Sequence, residues 1–307
     1  MVVKRILVLS FIFLWLNQFI LAQSAIIIAA SDGQSLPYAT VINMRTGKGV
    51  FASESGQVDF KSEYFGAGDS VKITYTGYED IFIKLPLLQT TIHLKSKPIE
   101  LDNVAVYPCL NSVPTILKNY TKFVTNYSLS TGNVPSGSWA SFIPNNRNKK
   151  GILETITVEL FFFTIPSNAR KAPYKLRLLH YDSTSGLPGN SLIAKEWVVH
   201  PSGKKLILNI KDENLRIPMQ GLVVAIDYFF AGEQYTYKRK TRMKKSDGTY
   251  ENIVETIYGS NLLATKGENL LGKGYTSFTK TGEWRIFNSY QSGVAAPMVS
   301  IGLMECN

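Results

Sequence analysis

The sequence predicts an all-β protein built from two sandwiches, a smaller one first and a larger one after it. Three observations predict it. Apolar residues recur at period two in short runs parted by Gly, Pro and Asp, the pattern of half-buried strands. No segment holds convincing helical periodicity over three turns. The chain has 307 residues, 45% of them hydrophobic and 18% charged. That is too apolar for a disordered chain and long enough for two domains that each bury a core.

Residues 1–24 stand outside that plan. Lys4 and Arg5 form a short positive region, Ile6 to Trp15 is almost wholly apolar, and Ala22-Gln23-Ser24 supplies small residues. This is the pattern of a secretory signal peptide, with cleavage expected after Ala22 or after Ser24. The alternative, a membrane anchor, fits less well, because Asn17 and Gln18 interrupt the run before it reaches the length of a span. No Cys stands directly after the segment to carry a lipid anchor, and no later run is long and apolar enough to span a membrane. The chain is therefore expected in the periplasm, at the outer membrane or outside the cell. Loss of Lys4 and Arg5 lowers the net charge from +10 to +8. For an exported protein such an excess points away from nucleic acid. It points to anionic glycan, lipopolysaccharide or an acidic envelope protein, with plain solubility as the other account.

Residues 25–107 hold about seven short strands. Val71, Ile73 and Tyr75 alternate with Lys72 and Thr74; Ile81, Ile83 and Leu85 with Phe82 and Lys84; Ile92 and Leu94 with His93. Gly56 suits a turn with positive φ, Pro37 a strand start, and Gly77 a bend. Four motifs recur here in order: Gln34 to Val41 ("QSLPYATV"), Ser53 to Phe60 ("SESGQVDF"), Gly68 to Glu79 ("GDSVKITYTGYE") and Leu101 to Val106 ("LDNVAV"). Together they resemble the carboxypeptidase regulatory-like domains, although Gln57 and Asp59 depart from the usual residues of the second motif. The resemblance implies a transthyretin-like Greek-key sandwich with a structural or docking role. In that family the domain accompanies metallocarboxypeptidases and the outer-membrane nutrient transporters of Gram-negative bacteria.

Residues 108–137 change character. Pro108, Pro114, Pro135, Gly132 and Gly137 suggest a linker, with Thr115–Val124 as the one helical candidate. Asn119-Tyr120-Thr121 and Asn126-Tyr127-Ser128 are formal glycosylation triplets, without meaning in a bacterial host. Residues 138–307 return to strands. Ile156, Val158, Leu160 and Phe162 alternate with threonines and Glu159; Tyr174, Leu176 and Leu178 with Lys175 and Arg177; Leu206, Leu208 and Ile210 with Lys205 and Asn209. Val299, Ile301 and Leu303 close the chain. Eight or nine strands indicate a larger, jelly-roll-like sandwich. The segment His180 to Ile193 ("HYDSTSGLPGNSLI") resembles an uncharacterised sandwich domain found after such N-terminal domains, and it implies no activity.

No catalytic, cofactor-binding or metal-ligating residue is assigned. Gly267 to Gly274 nearly spells a phosphate-binding loop, but Gly274 stands where Ser or Thr is needed and a strand follows instead of a helix. His93, His180 and His200 have no zinc spacing. His180 ends a core-facing parity, where a hydrogen-bonded structural role is expected. No nucleophile elbow is present. Glu251 and Glu255 share a strand face, which is more often solvated than catalytic. Asp182 to Gly186 fits an Asx turn better than a calcium loop. Trp139, Trp197 and Trp284 are core candidates before they are sugar platforms. Cys109 and Cys306 either form a disulfide after export or are unrelated thiols.

The most distinctive local feature is basic. Lys238, Lys240, Arg242 and Lys244 are spaced by two, so in a strand they line one face, and Asp247-Gly248 reads as a two-residue turn after them. Two accounts stand, of which the second is the commoner in general: a polyanion-binding stripe, or a lysine-rich edge that blocks aggregation. The sequence thus suggests an exported, non-enzymatic structural, docking or binding protein of the bacterial envelope. A glycan-binding role for the second sandwich comes next, and a glycan- or peptide-processing enzyme last.

Overall fold

A computed structural model describes residues 24–60, 64–87, 90–97, 112–130, 136–229, 233–245, 247–277, 283–289 and 293–306. Almost all of the expected signal segment lies outside the described residues. So do Cys109 and the side chain of Cys306, and with them the expected disulfide. The described chain is all-β, with helical geometry confined to single 3₁₀ turns.

The first unit is two sheets. One places Ser24–Ala29 between Gln57–Asp59 and Thr91–Leu94. The other runs Gly49–Phe51, Thr40–Asn43, Ser70–Thr74, Ile81–Lys84. The alternation seen in the sequence becomes burial: Ile27, Val41, Val71, Ile73, Ile92 and Leu94 fill the core, while Phe82 and His93 face out. Gly56 has φ +77°, and a Cβ there would come within 2.8 Å of the Ile27 carbonyl, so the turn requires glycine. Buried Asp69 accepts hydrogen bonds from Arg45 Nε and Asn43 Nδ2 at 2.6 Å and from the Gly66 amide at 2.7 Å. The Arg45 hydrogen bond, before the others, holds its carboxyl well below the usual range.

The second unit is a larger sandwich. Its seven-stranded sheet runs Leu187–Ser191, Tyr174–Asp182, Gly221–Phe229, Ser136–Pro144, Gly274–Ser277, Arg285–Ile286, with Trp197–Val199 also on Tyr174–Asp182. Its eight-stranded sheet runs Asn288–Ser289, Gly293–Pro297, Asn261–Lys266, Gly151–Phe161, Val299–Cys306, Ser112–Lys118, with Lys205–Asn209 and Ser128–Leu129 attached. Ile156, Val158, Leu176, Leu178, Val224 and Ile301 meet between the sheets. The strands exceed the eight or nine expected because several are two or three residues long, too short to show alternation.

The expected linker needs correction. Within residues 108–137, Ser112–Lys118 and Ser128–Leu129 are strands of the eight-stranded sheet, and the next strand already begins at Ser136. The helix expected over Thr115–Val124 is absent; Ser112–Lys118 pairs antiparallel with Val299–Cys306 instead. Pro114 made this stretch read as a loop. It is tolerated because the strand is an edge. The Asn119 amide donates to the Val299 carbonyl at 3.2 Å, so by alternation Leu117 and Thr115 aim their amides at the partner strand. Lys118, Ile116 and Pro114 then face the outer edge, where a missing N–H costs the ladder nothing.

The two units meet at a buried lysine. Lys175 lies on the outer face of the seven-stranded sheet and is 2% exposed. Its ammonium donates to the Tyr38 carbonyl at 2.9 Å, stands 2.7 Å from Glu196 Oε2, and sits 4.4 Å above the Phe51 ring. Thr76 of the first unit donates to the other oxygen of Glu196.

Candidate binding face on the basic ribbon

Thr236–Lys244 and Tyr250–Tyr258 form a two-stranded antiparallel ribbon that joins neither large sheet. Tyr250–Tyr258 is rich in β-branched and aromatic residues, which favours extended backbone, whereas Thr236–Lys244 has only Thr236, Tyr237 and Thr241 of that kind among its basic residues. The register runs without a break from Thr236 opposite Tyr258 to Lys244 opposite Tyr250. The connecting loop is longer than the expected two-residue turn. It closes through the Lys245 amide on the Thr249 carbonyl at 2.8 Å, with Gly248 at φ +85°. Asp247 Oδ1 accepts from the Thr249 hydroxyl at 2.7 Å and the Thr249 amide at 2.9 Å, and these bonds lower its carboxyl pKa. The loop is therefore an Asx turn, as Asp followed by Gly and Thr can build.

At its root the ribbon is anchored. Ile257 and Tyr258 are buried, and the Gly259 amide donates to the Tyr235 carbonyl at 2.9 Å. Tyr235 lies within electrostatic reach of Tyr38 in the first unit. Burial, then the 2.9 Å hydrogen bond to Glu54, pushes the Tyr38 hydroxyl up to about 12.

The register separates the two faces by charge. One face carries Lys238 opposite Thr256, Lys240 opposite Val254 and Arg242 opposite Asn252, and every one of these side chains is exposed. Tyr250, 59% exposed, ends the neutral row, and the Arg242 guanidinium lies 5.2 Å from its ring centroid. Lys244 takes the position opposite Tyr250; its side chain lies outside the described residues. Among the described residues no carboxylate pairs with Lys238, Lys240 or Arg242. The hairpin's two glutamates sit on the other face: Glu255 pairs with Arg239 at 2.8 Å, and Glu251 with Lys245 at 3.3 Å. Residues two apart in a strand are about 7 Å apart. The exposed face is thus a row of cations at that spacing, beside a parallel row of Thr256, Val254, Asn252 and Tyr250 about 5 Å away.

Sequence reasoning had the cations but not the second row. Only the register supplies that row, and the register depends on the loop between Lys245 and Thr249.

The remaining candidates are placed as follows. Trp139 is buried and meets Phe287 edge-on at 4.7 Å. Trp197 and Trp284 are half-buried, with Lys195 and Arg177 over their rings at 5.8 and 5.9 Å. The three indoles form no exposed row. His180 is exposed rather than a core histidine, although its cross-strand partner Leu222 is buried; His93 and His200 are exposed too. Among the described residues no group of three or more His, Cys, Asp or Glu side chains converges as a metal site. Asp182 accepts from the Thr184 amide at 2.9 Å and the Ser185 hydroxyl at 2.6 Å, an Asx turn. Two glycines of the phosphate-loop look-alike serve packing: a Cβ at Gly272 would strike the Phe142 carbonyl, and one at Gly274 the Ala295 carbonyl; Gly267 has φ +60° in open space. No helix among the described residues is long and apolar enough to cross a membrane.

No protein-family model matches the chain, and no curated protein matches its sequence. Solved structures similar to it include the following two. The cysteine protease and lectin-like domains of Cwp84, a surface layer associated protein of Clostridium difficile, align at 10% identity and TM-score 0.36, over 87% of this chain and 59% of that one. The chain therefore spans less than two thirds of that structure. BcpA, the major pilin subunit of Bacillus cereus, aligns at 10% identity and TM-score 0.19, over 91% of this chain and 94% of its own.

Proposed function

We propose that this chain is an exported, non-enzymatic docking protein of the bacterial envelope, whose two sandwiches support a ribbon that binds an anionic partner. The observation that carries this reading is the segregation of charge on the ribbon. Lys238, Lys240 and Arg242 share an exposed face with no acid, while both glutamates of the hairpin are neutralised on the other face. Such a field attracts polyanions and weakens with salt, since exposed charges act within a Debye length of about 8 Å at physiological ionic strength.

Export rests on the signal-like segment 1–24, and the periplasm, the outer membrane and the cell exterior all suit it. The first unit is taken as a carboxypeptidase regulatory-like module on the strength of its four motifs, with a structural role. The non-enzymatic reading draws on the more buried carboxylates of the second unit, Glu159, Glu196, Asp227 and Glu305, each of which is held in an ion pair. Asp227, for example, lies 2.7 Å from Arg177. Burial opposes the charged form of Asp227 most strongly, but Arg177, Ser138 and Lys175 together outweigh it and lower the pKa. A carboxylate so held is a poor general acid.

The test is retention on a sulfated matrix. Replacing Lys238, Lys240, Arg242 and Lys244 by Ser should abolish retention and leave the Tm nearly unchanged. Retention that survives the four substitutions would move the site elsewhere. A large fall in Tm would make the stripe structural.

A further inference from the structure

The ribbon's exposed face has two chemically different rows, and the second row narrows the class of ligand. A partner recognised by charge alone needs only the cations. Beside them, on the paired strand, stand Thr256, Val254, Asn252 and Tyr250, all exposed, with Tyr250 and Val254 each 59% accessible. They present a threonine, an apolar patch, an amide and an aromatic ring with the Arg242 guanidinium 5.2 Å from its centroid. A polyphosphate has no C–H surface to set against Val254 and Tyr250. A lipid surface would call for apolar side chains gathered on one face at the tip, whereas on this face Val254 and Tyr250 alternate with Thr256 and Asn252, and exposed Met243 at the tip lies on the other face. A sugar chain bearing an acid on one edge of each ring fits both rows. Its acid groups would meet the cations, its hydroxyls Thr256 and Asn252, and its C–H faces Val254 and Tyr250, an amphipathic side chain suited to a half-wet contact.

We infer that the ribbon binds an anionic polysaccharide lengthwise, the Lys238–Lys240–Arg242 row taking its acid groups and the Thr256–Val254–Asn252–Tyr250 row its sugar rings. This rests on the reading of the ribbon as the binding surface, and the two can fail separately.

The experiment titrates the purified chain with polygalacturonate, with neutral dextran of similar length, with long-chain inorganic polyphosphate and with vesicles of mixed phosphatidylcholine and phosphatidylglycerol. Polygalacturonate should bind and dextran should not, and the affinity should fall as salt rises through loss of counterion release. Tyr250→Ala should weaken polygalacturonate about tenfold, a 1.4 kcal/mol loss, and leave polyphosphate binding unmoved. Tyr250→Phe should restore most of the loss. The Lys240→Ser, Arg242→Ser pair should abolish binding of every polyanion. If polyphosphate or the vesicles bind as tightly as polygalacturonate and Tyr250→Ala changes nothing, the polysaccharide assignment is wrong while the basic ribbon stands as a binding surface. If no polyanion binds, or the charge substitutions have no effect, the ribbon reading itself falls.

Discussion

Lys175 offers the sharpest test of how the two units are joined. Its side chain is 2% exposed, that of its partner Glu196 13%, and the charges are 2.7 Å apart. At an effective dielectric constant near 20 the gross attraction at that distance is about 6 kcal/mol, most of it offset by taking two ions out of water. The net worth of the intact pair is therefore small. Breaking it is another matter, because Lys175→Met leaves Glu196 with Thr76 and only the weaker electrostatic reach of Arg177. Such a loss costs about 3–5 kcal/mol. Met keeps most of the stem over Phe51, so packing changes little. Replacing both residues, Lys175→Met with Glu196→Met, removes both buried charges and should recover all but about 1 kcal/mol, giving a coupling of more than 2 kcal/mol in the double-mutant cycle. Urea denaturation can be followed with two probes. Trp139, Trp197 and Trp284 all lie in the second unit, so their fluorescence reports that unit, and protease cleavage within residues 25–97 reports the first. Lys175→Met should let the first unit open at lower urea than the second. Coincident transitions with an unchanged midpoint, or a double variant as unstable as the single one, would falsify the latch.

Two further outcomes are expected. Asp69 has a folded-state pKa depressed chiefly by Arg45, so its stabilisation is present above the unfolded value near 3.8 and is lost as pH falls below it. Asp69→Asn should therefore lower Tm at neutral pH, and its deficit against the parent chain should shrink in thermal scans below about pH 4; a deficit that persists at acid pH would mean the role is steric. Gly274→Ala drives a methyl into the Ala295 carbonyl and should cost about 1–3 kcal/mol in denaturant unfolding. An unchanged midpoint there would mean that the neighbouring strand yields freely.

Period-two runs were legible because one face of each is buried by its own sandwich. Val71 and Ile73, Ile156 and Val158, Leu176 and Leu178 all point where alternation puts them. What depends on a second element was not legible. Alternation correctly places Lys175 off the sandwich core. That it is nonetheless buried follows only from the docking of Tyr38, Thr40 and Phe51 upon it. The strand Ser112–Lys118 was hidden by Pro114 and by its exposure: Ile116 is 65% exposed, and one apolar alternation partner does not make a period. Likewise the cationic row is written in one stretch of sequence, whereas the row beside it needs the register of a partner strand.

The choice between binding and mere edge protection turns on that second row. In a two-stranded ribbon both strands are edges, so a device against edge pairing should charge both alike. The Tyr250–Tyr258 strand is as exposed to pairing as its partner. Yet on the solvent face it carries Thr256, Val254, Asn252 and Tyr250 and no charge, and its two glutamates lie on the other face, where they neutralise Arg239 and Lys245. Edge protection accounts for charge on both strands but not for its separation by face; a surface matched to a ligand with a charged side and a neutral side would account for that separation. Such a surface also needs a rigid base. The ribbon's root at Tyr235 is within electrostatic reach of Tyr38, whose carbonyl accepts from the buried Lys175. The expected outcome is that the lysine contact also supports the ribbon, so that Lys175→Met weakens polygalacturonate binding even though Lys175 is buried away from the ribbon's solvent face. Binding unchanged in Lys175→Met, alongside a lowered urea midpoint, would separate the two roles and leave the lysine as a latch alone.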